Sequence, residues 1–262
     1  MRRIAFLAAA SALLLTGCAG NPSQLQQPEE PVSQQAATTE ASQRAKVHTE
    51  LGGLYLSRGN LGVALDEARK ALSADDRYAP AHNLMGLVHM QLHEDRLAEQ
   101  SFERALSLAP SDPEINNSFG WFLCQTGRER RSLQYFQTAV KSPLYATPTM
   151  PYTNAGICSL RLKDDKAAED YFLKALRADH ANARAMFFLA DIDYRRGRLD
   201  EARHYLDELH QRVEPTAEIL WLGVKIERGL GDRGAEEHYA FQLRSKFPGS
   251  PEARRLLQGQ YQ

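Results

Sequence analysis

The feature that most constrains this 262-residue chain is a pattern that returns about every 34 residues. Gly52, Gly86 and Gly120 follow one another at 34-residue intervals, and Gly156, Ala190 and Gly223 continue the series at 36, 34 and 33. Counting each unit from seven places earlier, units begin at Ala45, Ala79, Pro113, Thr149, Ala183 and Thr216. The twentieth place is again small: Ala64, Ala98, Ser132, Ala168, Ala202 and Ala235. The twenty-fourth is mostly large: Ala68, Phe102, Phe136, Phe172, Leu206 and Tyr239. The twenty-seventh is Ala71, Ala105, Ala139, Ala175 and Leu209, with the sixth unit out of register. Small residues at fixed offsets from large ones are what two closely packed helices need, unit after unit.

A period of this length and pattern is that of the tetratricopeptide (TPR) repeat, a helix–turn–helix unit. The expected fold is all-α, a right-handed superhelix of about six repeats over residues 45–250, near 45–78, 79–112, 113–148, 149–182, 183–215 and 216–249. Proline is poorly tolerated inside a helix because it lacks an N–H and clashes with the preceding turn. None of the 12 prolines falls in an expected helix interior. Arg58-Gly59-Asn60, Thr126-Gly127-Arg128, Arg196-Gly197-Arg198 and Gly231-Asp232 supply turns between paired helices. The 36-residue step adds two residues between repeats three and four, in a proline-containing stretch from Ser142 to Pro151 that implies a long, stiff connection. Residues 251–262 form a polar C-terminal cap, since terminal repeats need a solvated outer face.

The start of the chain is organised differently. Arg2 and Arg3 precede an apolar run from Ile4 to Leu15, too short for a comfortable membrane span, and Leu15-Thr16-Gly17-Cys18 closes it. This resembles a bacterial lipobox, so residues 1–17 are expected to be a lipoprotein signal peptide and Cys18 the acylated first residue. Ala19 after that cysteine, by resemblance to bacterial lipoproteins, favours outer-membrane sorting, with the domain facing the periplasm. Several acyl chains on one cysteine anchor firmly, at about 0.8 kcal/mol for each buried CH2. From Cys18 to residue 44 the chain is rich in Gln, Pro, Ser, Thr and Ala, which predicts a disordered linker. As a flexible coil it reaches about 28 Å.

With a formal net charge of −1 there is no basic field for nucleic acid. Cys124 and Cys158 remain, at places twelve and ten on the first helices of neighbouring units. In an oxidising compartment they either pair or stay as buried thiols. His89 and His93 have a helical metal-binding spacing. His89 sits at a packing place and His93 in a turn, so packing and solvation are the favoured reading. Asp191 and Asp193 lie too close in sequence to share a helix face, and no Ser/His/Asp arrangement is suggested. The expectation is a protein without catalytic residues, metal, cofactor or small-molecule substrate.

Function is therefore sought on a surface. First-helix places two, five, nine, twelve and thirteen line the inner curve of such a superhelix. Repeat two offers Asn83, Leu87, Met90 and Gln91, and repeat three offers Asn117, Trp121 and Gln125. Repeat four offers Thr153, Ile157 and Arg161, and repeat five Phe187, Asp191, Tyr194 and Arg195. Aromatic side chains, Met and amides suit a protein-binding groove, and Asn117 is placed to hydrogen-bond an extended peptide. Trp121 and Phe187 have an alternative as packing residues. The arginines at the turns, Arg128, Arg130, Arg131, Arg195, Arg196 and Arg198, read as solvated turn charge or as a contact for an acidic partner.

Two segments carry a more specific likeness. Asn116-Asn117-Ser118-Phe119-Gly120-Trp121-Phe122-Leu123-Cys124 resembles the NN-x-x-GWFLC segment of the type IV pilus biogenesis and stability lipoproteins (PilW, also called PilF). Tyr145-Ala146-Thr147-Pro148, followed by Asn154-Ala155-Gly156-Ile157-Cys158-Ser159, resembles the same family's Y-x-TP…N-x-GIC run. The resemblance implies that Cys124 and Cys158 correspond to the pair this family joins between its third and fourth repeats. It also implies a non-catalytic role in type IV pilus assembly at the outer membrane, with the secretin or another pilus component as partner. Within it stand a pilotin-like role in secretin assembly or localisation and a role in fibre stability. The alternative is a general periplasmic adaptor that recruits cell-wall hydrolases or proteases.

Overall fold

A computed structural model of the chain describes residues 35–142, 145 and 148–261. Among these residues there are thirteen α-helices and no strand. They come as antiparallel pairs: α1 (Glu40–Ser57) with α2 (Leu61–Ala74), α3 (Ala79–Gln91) with α4 (Asp95–Leu108), and α5 (Pro113–Gln125) with α6 (Glu129–Ala139). The series continues with α7 (Thr149–Arg161) and α8 (Asp165–Ala178), α9 (Ala183–Arg195) and α10 (Leu199–His210), and α11 (Ala217–Leu230) and α12 (Arg233–Lys246). The second helix of each pair packs on the first helix of the next, and α13 (Pro251–Leu257) packs on α11 and α12. This order of contacts is that of a TPR superhelix.

The repeat positions explain the packing. A Cβ added at Gly86, Gly120, Gly156 or Gly223 would come within 2.7, 2.8, 2.5 or 2.9 Å of Phe102, Phe136, Phe172 or Tyr239 respectively. Each aromatic ring from the twenty-fourth place occupies the space a side chain at the eighth would need. In repeat five the eighth residue is Ala190 and the twenty-fourth is Leu206, so a methyl group is matched by a smaller partner in the same buried cluster. In repeat one, Ala68 leaves room that Leu84 of the next repeat fills, with its Cδ2 2.5 Å from where a Gly52 Cβ would stand.

Helix starts are set by side chains that take up the orphaned N–H groups of the first turn. Asp112 accepts from the backbone N–H groups of Glu114 and Ile115 at 3.0 and 3.1 Å, and Asn182 from that of Ala185 at 2.9 Å. Asp164, Thr216, Asp232 and Ser250 do the same for α8, α11, α12 and α13. The turns inside repeats need a left-handed residue at one place. It is Gly59, Gly127, Gly197 and Gly231 in four repeats, but His93 (φ 59°) and Lys163 (φ 60°) in the other two.

The first helix differs from expectation. It begins at Glu40, where the linker was expected to run to residue 44. Thr39 and Ser42 form a capping box, and the Arg44 guanidinium donates to Glu40 Oε1 at 2.7 Å. Upstream of it the Gln35 side chain accepts from the Ala79 backbone N–H at 2.8 Å. Residues 35–44 thus belong to the repeat domain. The signal segment 1–17, Cys18 and the linker to residue 34 lie outside the described residues.

At the irregular junction Tyr145 is buried and its hydroxyl donates to Glu114 Oε2 at 3.2 Å. The stiff connection expected there rests partly on residues 143, 144, 146 and 147, which also lie outside the description.

Candidate functional site: the inner face of the repeats

The expected groove residues divide into two groups. Asn83, Asn117, Thr153 and Ile157 are buried, at 6, 3, 5 and 8% exposure, so they are not surface for a partner. The fifth place faces the next repeat. Asn117 Oδ1 accepts from the Asn154 side-chain amide at 3.0 Å, and its own amide group lies 3.3 Å from Met150 Sδ. Thr153 Oγ1 accepts from the Asn182 amide at 3.0 Å and donates to the Thr149 carbonyl at 2.8 Å. Asn117 therefore does not clasp a peptide backbone; it fastens α5 to α7. Burial decides this, and burial comes from the neighbouring repeat, which a unit-by-unit inspection omits.

The second group is accessible. Gln91, Gln125, Arg161 and Arg195 are exposed, and Leu87, Met90, Trp121, Phe187, Asp191 and Tyr194 are half-buried. Several of these are already held. The Arg161 guanidinium donates to the Cys124 carbonyl at 2.7 Å and to Gln125 Oε1 at 2.9 Å. Arg195 pairs with Asp191 at 3.0 Å and with Asp165.

Of the turn arginines, all but Arg130 are also engaged inside the array, among the described residues. Arg128 pairs with Glu99 of the preceding repeat, and Arg198 pairs with Glu169 at 2.6 Å and with Asp193. Arg196 pairs with the same Glu169. Burial pushes the Asp193 carboxyl above its usual range, partly opposed by Arg198. The pairs with Glu99 and Glu169 tie neighbouring repeats, and the pair with Asp193 lies within repeat five. The histidine pair is engaged within its own repeat: His89 Nδ1 lies 2.6 Å from Glu94 Oε2, and His93 occupies the left-handed turn position.

Two cations that sequence inspection did not single out complete the inner face. The Arg184 guanidinium lies 5.8 Å from the centre of the Trp121 ring, and the Lys225 ammonium 4.6 Å from that of Tyr194. Neither has a carboxylate partner among the described residues. Burial lowers the tendency of Lys225 to stay charged, and the nearby Asp191 partly offsets this. Beside Arg184, between α9 and α11, opens a cavity of about 370 Å³ lined by Phe187, Phe188, Leu209, Val213 and Ile219, with Glu218 and Thr216 at its rim. Arg184 stands at the second place of its repeat, so the same positional rule that selected Phe187 contained it.

Cys124 and Cys158 are fully buried on α5 and α7, with sulfurs 1.98 Å apart and Cα atoms separated by 5.8 Å. That Cα separation is one a disulfide spans without moving the backbone. They sit with Phe136 and Ala155 in one cluster, against which Trp121 packs. The groove and the cysteine pair therefore share the α5–α7 junction.

Family models described as tetratricopeptide repeat match residues 79–112 and 160–213. The type IV pilus assembly protein PilF of Pseudomonas aeruginosa is 31% identical over 205 residues, covering 78% of this chain and 81% of that protein. The chain belongs to the PilF/PilW family. Among solved structures, PilW, described as a widely conserved type IV pilus biogenesis factor, superimposes with a TM-score of 0.75 at 32% identity, over 81% of this chain and 98% of its own. The structure of PilF from Pseudomonas aeruginosa gives 0.77 at 28% identity, over 84% and 100%. Nearly the whole of each family structure is thus matched by this chain, and the TPR proteins to which this family belongs bind other proteins.

Proposed function

We propose that this protein is a docking scaffold of type IV pilus biogenesis, without a catalytic centre of its own. Held by acyl chains on Cys18 in the inner leaflet of the outer membrane, its repeats face the periplasm. There they bind a secretin subunit or another pilus component, in a pilotin-like role or in support of the fibre. The observation that carries this reading is the relationship to PilF across 205 residues, joined to an inner face with accessible aromatic and cationic side chains. The lipobox-like Leu15-Thr16-Gly17-Cys18 supports the anchor. In the oxidising periplasm Cys124 and Cys158 are joined as a disulfide, a proposal supported by their 5.8 Å Cα separation.

Deletion of the gene, with secretin multimers and surface pili scored separately, tests the role. Loss of multimers with loss of pili fits secretin assembly, and loss of pili with normal multimers fits fibre support. Normal amounts of both refute the proposal. Cys18→Ala is expected to release the protein from outer-membrane fractions; an unchanged distribution refutes the anchor.

A further inference from the structure

We propose that the junction of repeats five and six is the specificity pocket of this scaffold, and that its occupant is an extended acidic segment with an aromatic or large aliphatic residue beside a carboxylate. This inference rests on the scaffold reading above and adds the chemistry of the bound segment.

The inner face sets its charges unequally. Arg161 and Arg195 are held by neighbouring carbonyl and carboxylate groups, so their hydrogen-bonding capacity is largely spent inside the array. Arg184 and Lys225 are not. Each is braced over an aromatic ring, of Trp121 and Tyr194, which orients the cation without neutralising it. A half-buried ammonium is favoured when a carboxylate arrives, because the pair then replaces lost hydration.

Beside Arg184, between α9 and α11, the apolar cavity of about 370 Å³ takes one large side chain, with Phe187, Phe188 and Ile219 as its walls. Arg184 is at its mouth, so the first carboxylate stands next to the apolar anchor. Glu218, which also lines the cavity and whose carboxylate already accepts from Thr216 and its own backbone N–H, disfavours a second carboxylate there. Arg184 and Lys225 occupy the second and tenth places of successive repeats, about 12 Å apart along the helix direction. With the lateral step of about 8–10 Å between neighbouring helices the two cations stand about 15 Å apart, which an extended chain covers in about four to five residues. The recognised pattern is therefore acidic–aromatic, followed about four residues later by a second acidic residue.

The test uses the full-length protein and a labelled, acetylated and amidated peptide, Gly-Ser-Asp-Phe-Ser-Gly-Glu-Ser, followed by fluorescence anisotropy. Saturable binding is expected, weakened about tenfold or more when Asp and Glu are replaced by Asn and Gln. The double variant Arg184→Glu with Lys225→Glu is expected to lose the acidic peptide with its helical circular dichroism unchanged. Arg184→Lys with Lys225→Arg, which keeps both charges, is expected to retain binding within a few-fold. Absence of saturation at millimolar peptide, equal binding of the neutral peptide, or unaltered binding by the Glu variant overturns the proposal. In cells, pili lost on gene deletion but normal with the Glu variant overturn this pocket while leaving the scaffold role standing. Normal pili after deletion remove the scaffold role itself.

Discussion

Three residues make the energetics testable one side chain at a time. Gly156 has the Phe172 ring where a methyl would stand, at 2.5 Å. Gly156→Ala is expected to destabilise by about 1–3 kcal/mol, an overpacking cost, seen as a lower urea midpoint. Lys163 has the opposite character, since it holds φ at 60° where four other repeats use Gly. Lys163→Gly removes a left-handed strain of about 1 kcal/mol and is expected to raise that midpoint. His210 lies edge-on to Tyr239, with Nδ1 3.0 Å from the Leu206 carbonyl and Nε2 buried without a partner among the described residues. Burial holds the imidazole below its ordinary value of 6.5, with Asp207 opposing. The unfolded chain then takes up the proton first, so this contribution is complete above that value and fades as pH falls below it. Wild-type stability is expected to drop between pH 7.5 and 5.5 relative to His210→Phe; parallel profiles would refute the assignment. The glycines were legible in the sequence because their spacing is the repeat itself. Asn117 was misplaced because its partners, Met150 and Asn154, come from another unit.

At the scale of elements, α5 and α7 are tied by the Asn117–Asn154 hydrogen bond and, in the pairing proposed above, by Cys124 and Cys158. A bond closing a 34-residue separation restrains the unfolded chain by about 3–4 kcal/mol. Reduction, or Cys124→Ser with Cys158→Ser, is expected to lower stability by that order, and non-reducing peptide mapping should recover both cysteines in one cross-linked fragment. A free Cys124 in protein purified from the periplasm would contradict the pairing. Helix identities and turns were legible from the 34-residue period and from proline placement. The start of α1 was not, because its polar capping box lies in a stretch whose composition matches the linker before it. The turn arginines were ambiguous for a related reason. Their partners Glu99 and Glu169 lie one repeat away, where only packing order decides which charges meet.

The molecule as a whole is held mainly by contacts between neighbours, so a disturbance stays local. In Gly156→Ala, amide exchange is expected to quicken around α7 and α8, while α1 to α3 and α11 to α13 keep their protection. Uniform loss of protection would mean a single cooperative unit. The array order was legible from the sequence, whereas the cavity beside Arg184 appears only once α9 and α11 stand side by side.

The pairing of a small eighth residue with a large twenty-fourth also bears on how such a chain can change over time. Four repeats match Gly with an aromatic ring and one matches Ala with Leu. Altering either member alone leads through a crowded or a hollow intermediate, so the two are expected to drift as a couple. Gly120→Ala combined with Phe136→Leu should fold more stably than Gly120→Ala by itself, which denaturant titration of the two variants will measure. Each repeat would then inherit its fit as a matched set, leaving the outward-facing side chains free to vary with the partner.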